Sequence, residues 1–201
     1  PIGVQTRHVG GLPGASGPMP AGYPDPAVAP WVFITLGTTF NNDPNFFIAA
    51  SQAAAEVGAV PIIALGGTDD TLLASRLKDR LPSQSQVVST IDFACVLPAC
   101  AAAIHHGGAG TTHALVTHGV PQIVVPHAAD QARQGRGVAR TGCGYHMSPR
   151  QATPDKLRNA LAQLMADRSP QRSQAKTLQA EFATLGGVTR AAESVEAIVE
   201  R

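Results

Sequence analysis

Apolar positions along this chain alternate between two spacings. Short strands are expected at Gln86–Thr90 and Gly142–Met147, and near-continuous apolar runs occur at Trp31–Leu36, Val60–Leu65, Ala101–Ile104 and Gln122–Val125. Such runs predict short strands buried on both faces. Between them the apolar residues fall three and four apart. Phe46, Phe47, Ala50, Ala53, Ala54 and Val57 form one helical stripe within Pro44–Gly58, and shorter helices are expected at about Asp70–Arg80, Thr112–Thr117 and Asp130–Thr141. A turn is expected at Val96–Cys100.

The tail is helical throughout. Thr153-Pro154-Asp155 supplies a capping hydroxyl, a proline at the first helical position and an acid in the first turn, and Ser169-Pro170 repeats the signal. Leu157, Leu161, Leu164 and Met165 line the first of these helices, and Leu178, Phe182 and Leu185 the second. After Gly186-Gly187, the residues Val188, Ala192, Val195 and Val199 mark a last one. Strands alternating with helices predict an α/β fold: a Rossmann-like, doubly wound parallel sheet of about six strands, followed by C-terminal helices.

Composition narrows the class. Over 201 residues, 44% are apolar, enough for a sizeable core, and the net charge of +1 comes without any basic run. Nothing therefore points to nucleic acid or to an anionic membrane surface. No apolar run approaches the roughly 20 residues of a membrane span. Cys95, Cys100 and Cys143 form no C-x-x-C pair, which fits a reducing cytoplasm better than a disulfide framework or a zinc site. No acids or histidines have metal-ligand spacing, so no metal site and no cofactor are expected. Pro1–Pro30 is rich in Gly-Gly, Gly-Pro and Asp-Pro steps and reads as an interdomain linker, with Gln5–Val9 a possible last strand of whatever precedes it. A chain beginning at Pro1 inside such a stretch reads as a piece of a longer protein. Residues 31–201 are then the domain.

The densest candidate chemistry is His105-His106-Gly107-Gly108-Ala109-Gly110-Thr111-Thr112. A strand, a glycine-rich bend and a helix start present free backbone N–H groups at the positive end of a helix dipole. The missing Cβ atoms let a bulky anion approach. Thr111 and Thr112 offer hydroxyls and His106 an imidazole. A tight turn without ligand and a seat for a diphosphate both fit the loop alone. The other strand ends favour the second: Gly37-Thr38-Thr39, Gly66-Gly67, Thr90–Phe93 and His127–Gln131 are all small, polar or hydrogen-bonding. In doubly wound sheets, ligands sit at these carboxyl ends.

Two common phosphate binders fail the pattern. The first strand ends Leu36-Gly37-Thr38-Thr39-Phe40 rather than in G-x-G-x-x-G, and no Walker lysine follows the later glycine loop. A phosphate cradle late in the sheet remains, beside a carboxylate–amide pair, Asp130-Gln131. That pair suits adjacent sugar hydroxyls, although Asp130 also fits a plain helix N-cap. His105 reads as a strand residue, and His113 and His118 as structural or solvent-facing.

Ala102-Ala-Ile-His-His-Gly-Gly-Ala-Gly-Thr-Thr, then Gly119-Val-Pro-Gln-Ile-Val-Val-Pro126, then Ala129-Asp-Gln131 resemble the C-terminal, donor-binding half of GT-B nucleotide-sugar glycosyltransferases. The resemblance is strongest to bacterial enzymes acting on macrolides and other natural products, with kinship to UDP-glucuronosyltransferases and plant enzymes. It implies that residues 31–201 are a nucleotide-sugar donor-binding domain. It also implies that His106 contacts the diphosphate and stabilises it as leaving group, with Thr38, Gly107, Gly108, Gly110 and Thr111 around it. The nucleoside would lie against Ile91, Asp92 and Phe93, largely through backbone groups, and the sugar on Asp130 and Gln131. Relatives carry an aromatic-x-Pro loop where this chain has Thr90-Ile91-Asp92, so base stacking on a Trp is not expected.

The implied reaction is an inverting, metal-independent transfer of a sugar from a UDP- or dTDP-sugar to a hydroxyl of a small-molecule, natural-product-like acceptor. The general base and acceptor pocket would lie on an N-terminal partner domain, so this chain alone would bind donor without transferring it. Two other expectations stand beside it: a stand-alone nucleotide-sugar-binding subunit with a separate acceptor partner, and a GT-B-shaped sugar-nucleotide epimerase. The stripe of the last helix is a candidate surface for self-association.

Overall fold

A computed structural model describes residues 8–11, 17–19, 21–39, 41–67, 71–128 and 130–199. Six strands form one parallel sheet: β1 (Trp31–Thr35), β2 (Val60–Ala64), β3 (Gln86–Val88), β4 (Cys100–His105), β5 (Gln122–Val124) and β6 (Gly144–His146). Their order is β3-β2-β1-β4-β5-β6. The chain therefore runs outward from β1 in one direction, returns to the middle, and runs outward again. The reversal lies between β1 and β4, which pair directly with Thr35 opposite His105.

Each face of the sheet has its own core. On β1, Val32 and Ile34 meet α1 (Pro44–Glu56), α2 (Thr71–Leu77) and α6 (Pro154–Met165), through Phe47, Leu73, Leu77, Leu157 and Leu161. Trp31 and Phe33 point the other way, onto Val96, Leu97 and Leu115. The last of these lies on α4 (Ala109–Thr117). Period-two alternation in an all-apolar strand thus feeds two layers at once. α5 (Gln131–Thr141) and α7 (Pro170–Thr184) close the far edge, with Val124, Val138, Cys143 and Ala175 between them.

The capping signals act as read. Thr153 accepts from the Lys156 N–H and Ser169 from the Arg172 N–H, each with a proline opening the helix. Asp43 caps α1 in the same way, accepting from Asn45 and Phe46 N–H. All three cysteines are free. The expected turn at Val96–Cys100 is more regular than foreseen: α3 (Phe93–Val96), capped by Asp92, passes into a 3₁₀ turn over Leu97–Ala99. A four-residue helix is too short to show a periodic stripe.

The expected strand at Gln5–Val9 falls largely outside the described residues, as do Asp70 and Ala129. Where residues 1–30 are described, they touch the domain. The Val9 carbonyl accepts from Gly187 N–H at 2.6 Å, and Tyr23 tilts against Trp31 with ring centroids 5.3 Å apart. The last helix, α8 (Gly187–Val199), has no buried residue, and Val195 and Ile198 are exposed. No described helix is long and apolar enough to cross a membrane.

Candidate functional site

A cleft of about 510 Å³ opens at the reversal of strand order, lined by residues from the carboxyl ends of β1 to β5. Thr38, Ile91, Phe93, His106, Gly108, Gly110, Thr111, Asp130 and Gln131 all line it. Its volume lies within the range of small-molecule sites.

α4 supplies the anion-seeking wall. Gly108 is its N-cap, with φ −61° and ψ 139°, and no side chain caps the helix. Among the described residues nothing accepts from the N–H groups of Ala109, Gly110 or Thr111. Gly110 and Thr111 line the cleft, at the positive end of the helix dipole.

His106 stands at the centre, buried to 8% exposure. Two glycines shape its seat. A Cβ on Gly37 would lie 2.6 Å from the ring's Cε1 and Nε2, and a Cβ on Gly108 would lie 2.4 Å from Nε2. Gly37 also needs its freedom for a φ of +75°. Among the described residues the buried Nδ1 has no hydrogen-bond partner. Burial first, and the neighbouring His127 second, push His106 below the ordinary histidine range, against the opposite pull of the Thr35 backbone and the Asp130 carboxylate. A neutral imidazole still donates one hydrogen bond.

Asp130 and Gln131 differ in what they contact. Asp130 sits at the N-cap position of α5 but makes no capping hydrogen bond, so its exposed carboxylate is left to the cleft. Gln131 is buried, and its Oε1 accepts from the His127 and Ala128 N–H groups at 2.7 and 2.8 Å. Its amide nitrogen is the part left for a ligand. His127, which the sequence reading left without a role, ties this loop to α1: its Nε2 lies 3.3 Å from Asp43 Oδ2, and its ring packs edge-on against Phe46.

Three of the expected residues are engaged elsewhere. Gly107 does not line the cleft. Its N–H donates to His105 Nδ1 at 3.1 Å, and its φ of +91° presses it against β5 and α5, where a Cβ would meet Val124 and Gln131. Asp92 is also outside the lining; its carboxylate accepts from Ala94 N–H and caps α3. Thr112 turns its hydroxyl back to the Gly108 carbonyl at 2.9 Å, so of these two threonines only Thr111 lines the cleft. His105 is a strand residue, as read, fully buried and bonded to Gln122. His113 packs against Phe182, and His118 is half-buried with its carbonyl accepting from Lys176. Among the described residues, no cluster of three or more His, Cys, Asp or Glu is placed to hold a metal ion.

Residues 52–198 match the family described as erythromycin biosynthesis protein CIII-like, C-terminal domain. The chain belongs to that family. It is 36% identical over 129 residues to the elloramycin glycosyltransferase ElmGT of Streptomyces olivaceus, covering 62% of this chain and 32% of that protein. Superposition on the calicheamicin glycosyltransferase CalG4 gives a TM-score of 0.79 at 32% identity, over 97% of this chain and 47% of that one. The glycosyltransferase VinC, solved with dTDP, gives 0.72 at 27% identity, over 90% and 45%. The chain thus spans about a third of the elloramycin enzyme and just under half of the two solved chains. Its six-stranded sheet is the Rossmann-like half of a GT-B fold.

Proposed function

We propose that this chain is the donor-binding half of an inverting, metal-independent glycosyltransferase. The sugar moves from a UDP- or dTDP-sugar to a hydroxyl of a small, natural-product-like acceptor. One observation carries the reading: a single cleft at the strand-order reversal joins the unpaired N–H end of α4 and His106 to Asp130 and Gln131 on the neighbouring strand end. The family match, and the dTDP held by the similar enzyme VinC, support it.

In this mechanism the diphosphate rests on the N–H groups of Ala109, Gly110 and Thr111, with the Thr111 and Thr38 hydroxyls beside it. His106 donates to a diphosphate oxygen. As the acceptor oxygen attacks the anomeric carbon, charge builds on the leaving diphosphate, and these fixed donors stabilise it without having to reorganise. Asp130 accepts from sugar hydroxyls and the Gln131 amide donates to one, fixing the ring for in-line attack. The base lies against Ile91 and Phe93. The general base comes from an N-terminal acceptor-binding domain, so the isolated chain binds donor without turnover. A cytoplasmic setting suits such a reaction, and three cysteines without a C-x-x-C pair support it.

Calorimetric titration of the chain with UDP, dTDP and GDP tests this directly. Saturable binding of UDP or dTDP is expected, and its loss in His106→Ala with the fold retained. No binding of any of the three at millimolar concentration would overturn the assignment.

A further inference from the structure

Beneath the loop lies a hydrogen-bonded chain that never reaches the cleft. His105 and Gln122 are both fully buried, on adjacent strands β4 and β5. His105 Nδ1 accepts from the Gly107 N–H at 3.1 Å. A neutral ring with Nδ1 as acceptor carries its proton on Nε2, which then donates to Gln122 Oε1 at 2.9 Å. This orients the Gln122 amide nitrogen toward the Thr112 carbonyl on α4, a long contact of 3.5 Å. Thr112 in turn bonds the Gly108 carbonyl. Four polar groups are satisfied at depth, and none of His105, Gln122 or Thr112 lines the cleft.

Two polar side chains in a parallel sheet cost desolvation that an apolar pair avoids. A fully satisfied network returns one defined geometry. Here that geometry bears on the loop's backbone. Gly107 is held at φ +91°, its N–H is withdrawn from the ligand's side, and alternation along the strand sends His106 the opposite way, into the cleft. Protonating His105 would set N–H against N–H at Gly107. Burial, with His106 beside it adding to the effect and the Gln122 bond opposing, pushes His105 down to about 3, so the arrangement persists across the physiological range.

We infer that His105 and Gln122 are positioning residues: a buried brace that presets the diphosphate loop through Gly107 and the first turn of α4. This rests on the donor-binding reading above. A purely structural pair would stabilise the fold but leave phosphate recognition untouched.

The test compares the affinity of the chain for UDP or dTDP, whichever binds, with its affinity for the matching nucleoside, titrated at millimolar levels by amide shifts. His105→Leu and Gln122→Met should weaken the diphosphate by about tenfold or more, the equivalent of one hydrogen bond to a charged group, while the nucleoside changes little. His105→Asn keeps an acceptor for Gly107 and should recover most of the loss. Folded variants that bind the diphosphate as well as the parent sink the brace while leaving the site intact. A parent chain that binds neither nucleotide sinks the site reading and the brace with it. Should His105→Leu not fold, the unsubstituted chain decides. Its His105 ring should carry a proton on Nε2 alone from pH 5 to 8. The Gly107 amide should exchange slowly and stay unshifted by nucleotide, while Gly110 and Thr111 shift. A titrating His105, or a Gly107 amide that shifts with the other two, overturns the inference.

Discussion

Gly108→Ala isolates the seat of His106 without deleting any chemical group. Gly108 has φ −61° and ψ 139°, which alanine adopts without strain. Only the added methyl matters, and it would sit 2.4 Å from His106 Nε2. Ordinary contact needs about 3.4 Å, so the ring must retreat by roughly 1 Å or swing off its rotamer, at about 0.5–1.5 kcal/mol. Alanine for glycine at an N-cap costs roughly another 1 kcal/mol. For a chain of this size a total near 2 kcal/mol lowers Tm by roughly 4–8 °C, leaving a folded protein at 25 °C. Binding should suffer more. A hydrogen bond to a charged group contributes about 1.5–3 kcal/mol net, or roughly 10- to 150-fold in Kd. Calorimetry with UDP or dTDP reads the affinity, and a thermal melt checks the fold. Gly137→Ala, whose Cβ meets nothing within 4 Å, serves as the control. If Gly108→Ala melts as expected yet binds within twofold of the parent, His106 does not touch the diphosphate.

Asp130→Ala removes no cap, so Tm should shift by less than about 2 °C, a surface-substitution effect. It should weaken the sugar nucleotide by roughly tenfold yet leave the free nucleoside diphosphate unaffected, as paired titrations would reveal. Thr111→Val should weaken diphosphate binding by several-fold with little change in Tm. Thr112→Val should lose about 1 kcal/mol in urea unfolding, because its hydroxyl serves the Gly108 carbonyl. His105 is held near 3 in the fold and returns to about 6.5 when unfolded. The unfolded state therefore takes up the proton first, and stability present above pH 6.5 is lost as pH falls toward 3. Between pH 7 and 5 this amounts to about 2 kcal/mol. Urea unfolding at the two pH values should show that loss in the parent and a smaller one in His105→Asn; equal losses would refute the assignment.

The amino-acid sequence alone determined the strands, the layer order and the capped helices, because these follow from local spacing. Trp31–Thr35 is apolar on both faces, and Thr153-Pro154 and Ser169-Pro170 carry their caps within three residues. The glycine loop and the Asp130-Gln131 pair were legible for the same reason: backbone freedom and residue type are written at the positions themselves. Tertiary structure alone decided how those residues divide the work. Spacing could not say that Gly37 and Gly108 meet across His106, since they come from different strand ends. Nor could it say that Thr112 faces back while Thr111 faces out, or that Gln131 spends its carbonyl on the His127 loop. The same holds for Gly107, whose N–H goes to a histidine beneath the sheet surface rather than to a ligand. Each of these depends on which strand lies beside which, and β1 comes to lie against β4 only when the whole sheet has closed around both cores.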